Sequence, residues 1–260
     1  MFLLMVRESP GYVGHYWGAA LICDVMMEPF RLDSSTEASA LDASSTPHPT
    51  AWETAYLRFE TPEEEIRKFV GRLRKIGANQ WPRNTEIVEL FCGRGNGLHA
   101  LQRLGFDRVE GVDLSSALLA QYQGPAVTHL GDCRHLPFPD QCKDVVIVQG
   151  GLHHLSALPD DLDQVFGEMQ RVVREEGRVV LVEPWLTPFL KLIHWIAAQY
   201  VARRCSVKLD ALQTMIEHER RTYEQWLREP GLILTLARTH FSPIHESFAW
   251  GKWSFVGTPR

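Results

Sequence analysis

The fold of this chain is decided by the stretch Ile87-Val88-Glu89-Leu90-Phe91-Cys92-Gly93-Arg94-Gly95-Asn96-Gly97. An apolar segment leads the backbone into closely spaced glycines, and a helix-like run follows. Glycines permit a sharp turn and let a ligand approach bare backbone amides, which a Cβ atom would block. The stretch therefore predicts a strand, a glycine turn (residues 91–97) and a helix N-terminus that binds a nucleoside-bearing cofactor.

Two classes of cofactor compete for such a turn. The dinucleotide fingerprint requires a third glycine where this chain has Leu98. Glu89, at the end of the predicted strand, would repel a pyrophosphate but suits a cofactor with cationic ammonium and sulfonium groups. These charges favour S-adenosylmethionine (SAM) over NAD.

Three more motifs follow in order along the chain. The first is Val109-Glu110-Gly111-Val112-Asp113, the second is Gly131-Asp132-Cys133, and the third is the apolar run 144–148 with the loop Gln149-Gly150-Gly151-Leu152-His153-His154-Leu155. With the glycine turn, they make the region from Ile87 to about Leu155 resemble the cofactor half of a class I SAM-dependent methyltransferase of the small-molecule, type 11 kind. Phe91 departs from the family pattern, which usually has glycine there.

The resemblance implies S-adenosyl-L-methionine as cofactor and assigns roles to residues of the motifs. Glu89 and the glycine amides would embrace the methionine moiety, Asp113 would take the two ribose hydroxyls, and Asp132 would accept from the adenine amino group. The predicted cofactor-binding residues are Glu89, Gly93, Gly95, Asp113, Leu114, Asp132, Cys133 and Gln149. A simpler role stays open for Asp113, because an Asp at a strand end is often a helix cap, with Ser115 and Ser116 as competing caps.

Candidate catalytic residues follow the fourth predicted strand. Methyl transfer by direct displacement depends mainly on alignment and exclusion of water, but a hydroxyl or ammonium acceptor also needs a base. His153 and His154 lie at the sheet edge where open α/β sheets bind ligands, and imidazole titrates near neutrality. His154 is the first choice for the base, while the alternative is that one histidine caps a helix and the other only packs. Glu183 and His218 are lesser candidates. No spacing of ligating residues indicates a metal site.

The resemblance implies an α/β fold with a doubly wound, Rossmann-like sheet of seven mostly parallel strands. Residues 1–50 are predicted to form a poorly ordered N-terminal extension, and residues 51–260 a SAM-dependent methyltransferase domain. Tyr56 and its aromatic neighbours either pack or fold over the cofactor. Two apolar stripes within residues 185–227 predict a helical insertion, which is either a helical pair packed on the core or a lid over the substrate.

Composition narrows the function further. The net charge is −5 and the pI about 6.1, without a basic block, so a nucleic-acid partner is not expected. Five cysteines form no ligand-spaced cluster and indicate reduced thiols in the cytoplasm. The apolar patches near the N-terminus are shorter than the roughly 20 residues of a membrane span, so no integral membrane segment is expected.

The sequence therefore predicts methyl transfer from SAM to a small organic acceptor by direct displacement. Two alternatives stay open at this level. One is a SAM-binding protein without turnover, which the bulky Phe91 suggests, and the other is an NAD-linked oxidoreductase. The acceptor atom and the oligomeric state are not indicated by the sequence.

Overall fold

A seven-stranded sheet organises residues 51–260, the part of the chain that the computed structural model describes, with side chains from residue 54. Its strands are β1 (Ile87–Leu90), β2 (Val109–Asp113), β3 (Val127–Leu130), β4 (Lys143–Gln149), β5 (Val173–Pro184), β6 (Phe241–Ala249) and β7 (Lys252–Pro259). The order across the sheet is β3-β2-β1-β4-β5-β7-β6. Pairs among β1 to β5 are parallel, and β7 runs antiparallel to both β5 and β6. The predicted doubly wound, mostly parallel sheet is confirmed; the extension expected over residues 1–50 lies outside the described residues.

Helices connect the strands and cover the sheet. They are α1 (Ala51–Phe59), α2 (Pro62–Lys75), α3 (Asn96–Arg103), α4 (Ser116–Leu119), α5 (Asp160–Val172), α6 (Pro188–Ala198), α7 (Tyr200–Cys205), α8 (Val207–Arg228) and α9 (Pro230–His240), with short 3₁₀ turns at Ala78–Gln80 and Leu152–His154. The sequence defines the start of α2 well. Thr61 accepts from the Glu64 amide, and the Glu64 side chain accepts from the Thr61 amide, which completes a capping box.

The core lies on both faces of the sheet. Alternate residues of a strand point to opposite faces, so Val88 and Leu90 join one apolar cluster while Ile87 joins the other. All four residues of β1 are buried. Burial on both faces is what the near-continuous apolar runs of a parallel sheet require.

The strand order places the motifs together. It reverses between β1 and β4, so the carboxyl ends of these neighbouring strands open a crevice, the usual ligand position in a doubly wound sheet. The glycine turn follows β1, and the loop of residues 150–155, called here the histidine loop, follows β4. Motifs that are distant in sequence therefore meet at one edge.

The helical insertion differs from the predicted helical pair. Three helices form instead of two, because Gln199 has extended backbone (φ −78°, ψ 122°) and separates α6 from α7. The first apolar stripe is also mostly not core: Phe189, Tyr200 and Val201 are exposed. The contact with the core comes mainly from α8, whose buried Trp226 donates from Nε1 to the Pro184 carbonyl at 2.9 Å.

No helix of the described part of the chain has the length and apolar character needed to cross a membrane.

Candidate active site

The glycine turn adopts a backbone that other residues tolerate poorly. Gly93 and Gly95 have φ values of +52° and +82°, in the left-handed region. Gly97 has another reason to be glycine, because a Cβ atom there would lie 1.9 Å from Oε1 of Glu89. Gly97 therefore leaves room for the Glu89 carboxylate beneath the start of α3. The sequence alone did not indicate this role.

Glu89 is a buried acid beside a buried amide. Its side chain accepts a hydrogen bond at 3.3 Å from Nε2 of Gln149, which ends β4. Burial raises the pKa of Glu89 to about 8. Among the described residues, neither the second carboxylate oxygen of Glu89 nor Oε1 of Gln149 has a hydrogen-bond partner. Buried acceptors without donors are rare, and these two fit the cationic ammonium of a methionine moiety.

Arg94 is a positively charged residue within the glycine turn. Its Nε and Nη2 atoms are buried and have no hydrogen-bond partner in the described part of the chain. The guanidinium lies 4.7 Å from the centre of the Tyr56 ring, and the Tyr56 hydroxyl is bonded to Glu65. Buried guanidinium donors within the glycine turn fit the carboxylate of an amino acid. Sequence reasoning missed Arg94, although a lone cation within a glycine turn was a usable signal.

Asp113 connects the glycine turn to the end of β2. Its two carboxylate oxygens accept from the amides of Gly93, at 2.7 Å, and Ser115, at 2.8 Å. The cap of α4 is Ser115, whose hydroxyl accepts from Leu118. Ser115, and not Asp113, is therefore the N-cap of α4, in contrast to the simpler prediction that Asp113 is a helix cap. The adjacent Leu114 is 71% exposed.

Asp132 and Cys133 follow β3. Arg134 donates to Asp132 at 2.7 Å, which lowers the pKa of Asp132, and it also donates to Asp161 at 2.8 Å. Burial raises the pKa of the Cys133 thiol to about 12, so that it stays protonated at neutral pH. An adenine amino group at this position would share the Asp132 carboxylate with Arg134.

His153 is held by a fully buried acid. Glu183, at the end of β5, accepts from the amides of Gly151 and Leu152 at 2.8 and 2.9 Å, and from Nδ1 of His153 at 2.8 Å. Burial alone would raise the pKa of Glu183, but these hydrogen bonds and the His153 ring lower it. An ionised Glu183 accepts a hydrogen bond from Nδ1–H of His153, which leaves Nε2 of His153 as the nitrogen with a free lone pair. Glu183 thus orients the histidine instead of acting as a base.

His154 lies beside His153 and faces the helical insertion. The two rings are 4.2 Å apart between centres, and Nδ1 of His154 is 3.3 Å from Oε1 of Glu219 on α8. The His154 side chain is 36% exposed. Burial and the adjacent His153 ring lower the pKa of His154, so that a neutral imidazole is present at neutral pH. His218, the other histidine considered, is exposed on α8.

The bulky Phe91 is accommodated by a glycine on the opposite loop. Its φ is +56°, and it takes the position where the family usually has glycine. A Cβ atom at Gly151 would lie 2.3 Å from Cγ of Phe91. The ring therefore packs over the bare backbone of the histidine loop.

The structure thus brings the predicted residues to one edge of the sheet. The glycine turn contains Gly93 and Gly95, and next to it lie Glu89, Asp113 and Gln149. Asp132 and Cys133 follow β3, and both histidines follow β4. The unpartnered atoms of Glu89, Gln149 and Arg94 fit the zwitterionic methionine end of SAM.

Comparisons with known proteins agree with this geometry. Residues 88–181 match a family model described as a methyltransferase domain. The chain is 29% identical over 184 residues to a demethylmenaquinone methyltransferase of Thermobifida fusca, which covers 65% of this chain and 72% of the relative. It is 26% identical over 187 residues to a 2-phytyl-1,4-naphtoquinone methyltransferase of Synechococcus elongatus, covering 61% and 76%.

Solved structures show the same fold. The PH0226 protein of Pyrococcus horikoshii superposes with a TM-score of 0.61 and 18% identity over 81% of this chain and 99% of that one. A SAM-dependent methyltransferase of Methanosarcina mazei gives 0.51 and 18%, over 71% and 96%.

The fold, the four motifs and the family match define a class I SAM-dependent methyltransferase. Residues 88–181 are similar to the domain of this family, and the chain is an enzyme that transfers a methyl group from SAM to a small molecule. The predictions of cofactor and enzyme class are confirmed, and SAM prevails over the NAD alternative.

Proposed function

We propose that this methyltransferase acts on a small aromatic acceptor with an ionisable hydroxyl, of the quinol type. The observation that carries the proposal is the position of the His154 imidazole on the loop after β4, where its ring packs on His153 and its Nδ1 lies 3.3 Å from Glu219 of the helical insertion. Two relatives bear the names of quinone-pathway methyltransferases. A phenolic hydroxyl is a weak nucleophile until it loses its proton, and a neutral imidazole accepts one.

Residues around the glycine turn hold the cofactor in this proposal. Glu89 and the carbonyl of Gln149 bind the methionine ammonium, and Arg94 binds its carboxylate. The Gly93 amide donates to Asp113 and the Gly95 amide to the Cys92 carbonyl, so these two glycines contribute the left-handed backbone of the turn and the absence of a side chain. On the nucleoside side, Asp113 binds the ribose hydroxyls, Leu114 packs on the adenine face, and Asp132 and Cys133 contact the adenine edge.

His154 is the proposed general base, and His153 positions it. Glu183 anchors His153 through one hydrogen bond, and the His153 ring packs against the His154 ring. His154 takes the hydroxyl proton, the resulting phenolate attacks the sulfonium methyl in line, and S-adenosylhomocysteine leaves. Ring delocalisation makes oxygen and the adjacent carbon alternative nucleophiles, so the acceptor atom is open; after attack by carbon, the ring C–H proton leaves to a base and the aromatic ring is restored.

The helical insertion (residues 185–227) is the proposed lid. Helix α8 packs on the 3₁₀ turn Leu152–His154. The Tyr223 ring lies edge-on to His153, 5.8 Å between centres, and its hydroxyl is 3.1 Å from Nε2 of His194. Aromatic groups over the histidine loop would exclude water from the transfer, as a lid does.

The experiment is a turnover assay with methyl-labelled SAM and a panel of short-chain quinols, read by mass spectrometry of the product. We expect label on the aromatic ring or its oxygen. His154→Ala should lower kcat by about 100-fold, within the range for general-base catalysis, while SAM affinity stays the same. The matched control is His218→Ala, on the exposed face of α8. Label on none of the acceptors would reject the acceptor class, and an unchanged kcat in His154→Ala would reject the base.

We also infer the setting in which the enzyme works. Its acceptor is a small molecule and not a nucleic acid, an inference supported by the net charge of −5. A cytoplasmic location is supported by Cys92, Cys133, Cys142 and Cys205, which are all unpaired. Residues 51–260 form the methyltransferase domain in this account.

A further inference from the structure

We propose that His153, His154 and Glu219 form a binding site for a divalent ion of the zinc class. One potential ligand atom from each residue lies within 4.8 Å of those of the other two. Of the residues that the structure describes, this is the group of histidine, cysteine and acidic side chains that comes together in this way. The proposal goes beyond methyl transfer, because nothing in that reaction requires an ion.

The donor set selects the kind of ion. Two imidazole nitrogens and one carboxylate oxygen suit zinc and similar first-row ions, whereas magnesium and calcium prefer oxygen ligands. Three protein ligands leave a coordination position open, as in zinc sites that also bind a water or another small ligand. This set of ligands could not be predicted from the sequence, because Glu219 lies on α8 and only the packing of α8 on the histidine loop brings it to the two histidines.

Glu183 provides the outer contact that metal-binding histidines commonly have. Its carboxylate is fully buried and accepts from Nδ1 of His153 at 2.8 Å. The hydrogen bond fixes the tautomer and leaves Nε2 of His153 as the ligand atom. Two backbone amides hold the carboxylate in place, so this arrangement exists before an ion arrives.

Charge and access also fit a dication. The carboxylates of Glu183 and Glu219 lie beside the two imidazoles, where they would offset the charge of a bound dication. The cluster is reachable, since the side chains of His154 and Glu219 are 36% and 20% exposed. An ion bound by both residues would replace their direct contact, in which Nδ1 of His154 lies 3.3 Å from Oε1 of Glu219.

The consequence for catalysis rests on the proposed function. If His154 is the base, an ion bound to its Nδ1 competes with proton transfer by the same ring. Loading of the site would therefore inhibit methyl transfer, and removal of the ion would restore it. The binding itself does not depend on that role, so it is tested without any acceptor.

The test uses the full chain, stripped with EDTA, and two probes without SAM. Zinc is titrated in competition with a chromophoric chelator, and cobalt is followed by its ligand-field absorption. We expect one saturable equivalent per chain. His154→Ala and Glu219→Gln should each weaken binding by about tenfold or more. Glu217→Gln and His218→Ala, the neighbours on α8, are matched controls and should leave binding unchanged.

Each outcome decides the proposal. Glu219→Gln preserves size and hydrogen bonding, so it remains informative if His154→Ala unfolds, and thermal unfolding checks both variants. Absence of a saturable equivalent would overturn the site. So would binding that neither variant weakens, or a cobalt spectrum with thiolate charge transfer, which would place the ion on cysteines. None of these results bears on whether quinols are methylated, because that reaction is measured separately.

Discussion

At the scale of single residues, the site is defined by buried polar atoms that the protein does not pair by itself. Glu89 and Gln149 present unpartnered acceptors, and Arg94 presents unpartnered donors. Such groups cost free energy in the unliganded protein, because burial removes their water. Binding of a zwitterion would satisfy both kinds at once. The unpartnered buried atoms of Glu89, Gln149 and Arg94 therefore explain why this end of the site binds the amino-acid part of a cofactor.

The first prediction concerns the protonation of Glu89. Its folded pKa of about 8 exceeds its ordinary value of 4.5, so in that pH window the unliganded fold binds more protons than the unfolded chain and loses stability as pH rises. A cationic cofactor favours the ionised form. SAM binding should therefore release a proton at neutral pH, and affinity should rise from about pH 6 to about pH 8. Calorimetry in two buffers with different ionisation enthalpies measures the proton.

The control for this effect is Glu89→Gln, which keeps the size of the side chain but cannot ionise. Its affinity for SAM should be about tenfold lower at pH 8, consistent with loss of one charge-assisted contact of about 1.5 kcal/mol, and nearly independent of pH. An affinity in the original protein that does not change with pH would show that Glu89 stays in one protonation state.

The second prediction tests the contact between Phe91 and Gly151. Gly151 has a φ of −124°, which any residue adopts, so Gly151→Ala changes only the space available. The new methyl group meets the Phe91 ring, and the free energy of unfolding should fall by about 1–3 kcal/mol. Denaturant unfolding measures it. Gly71→Ala is the control: the methyl group meets nothing within 4 Å in the middle of α2 and should stabilise by about 0.5–1 kcal/mol.

A double variant identifies the cause. In the Gly151→Ala background, Phe91→Ala should recover part of the loss, because the ring that obstructs the methyl group is gone. Strictly additive losses would mean that the two residues do not contact each other.

At the scale of elements, α8 joins the helical insertion to the sheet. It packs against α1 and the histidine loop, and its last turns bury Trp226 beside the end of β5. The apolar periodicity of residues 185–227 predicted helices there but not which faces are buried. Apolar periodicity shows that a helix has an apolar face but not which element packs against that face. In α6 and α7, part of the apolar face is exposed to solvent.

The third prediction concerns the anchor of α8. Trp226→Phe keeps an aromatic ring but removes the donor to the buried Pro184 carbonyl. The free energy of unfolding should fall by about 1–3 kcal/mol, the cost of an unsatisfied buried acceptor. Trp195→Phe, on the exposed face of α6, makes the same chemical change and should alter it by less than about 0.5 kcal/mol. Equal effects of the two changes would show that the hydrogen bond is not what anchors the helix.

At the scale of the whole molecule, the sequence predicted the sheet because its information is local. Apolar runs indicated β1 and β4, and the sheet of seven mostly parallel strands came from the family resemblance. The partners of the site residues were less accessible. The contact of Glu219 with His154 and that of Glu183 with His153 join elements far apart in sequence, and only the folded chain shows them.

The most direct test of the account is calorimetric titration of the protein with S-adenosylhomocysteine and, separately, with NAD. We expect saturable binding of S-adenosylhomocysteine and none of NAD. Asp113→Ala should weaken that binding by roughly 1.5 to 3 kcal/mol for each charge-assisted hydrogen bond lost, and Asp107→Ala, an exposed loop carboxylate, should not. Binding of NAD alone, or an unchanged affinity in a folded Asp113→Ala variant, would contradict the account.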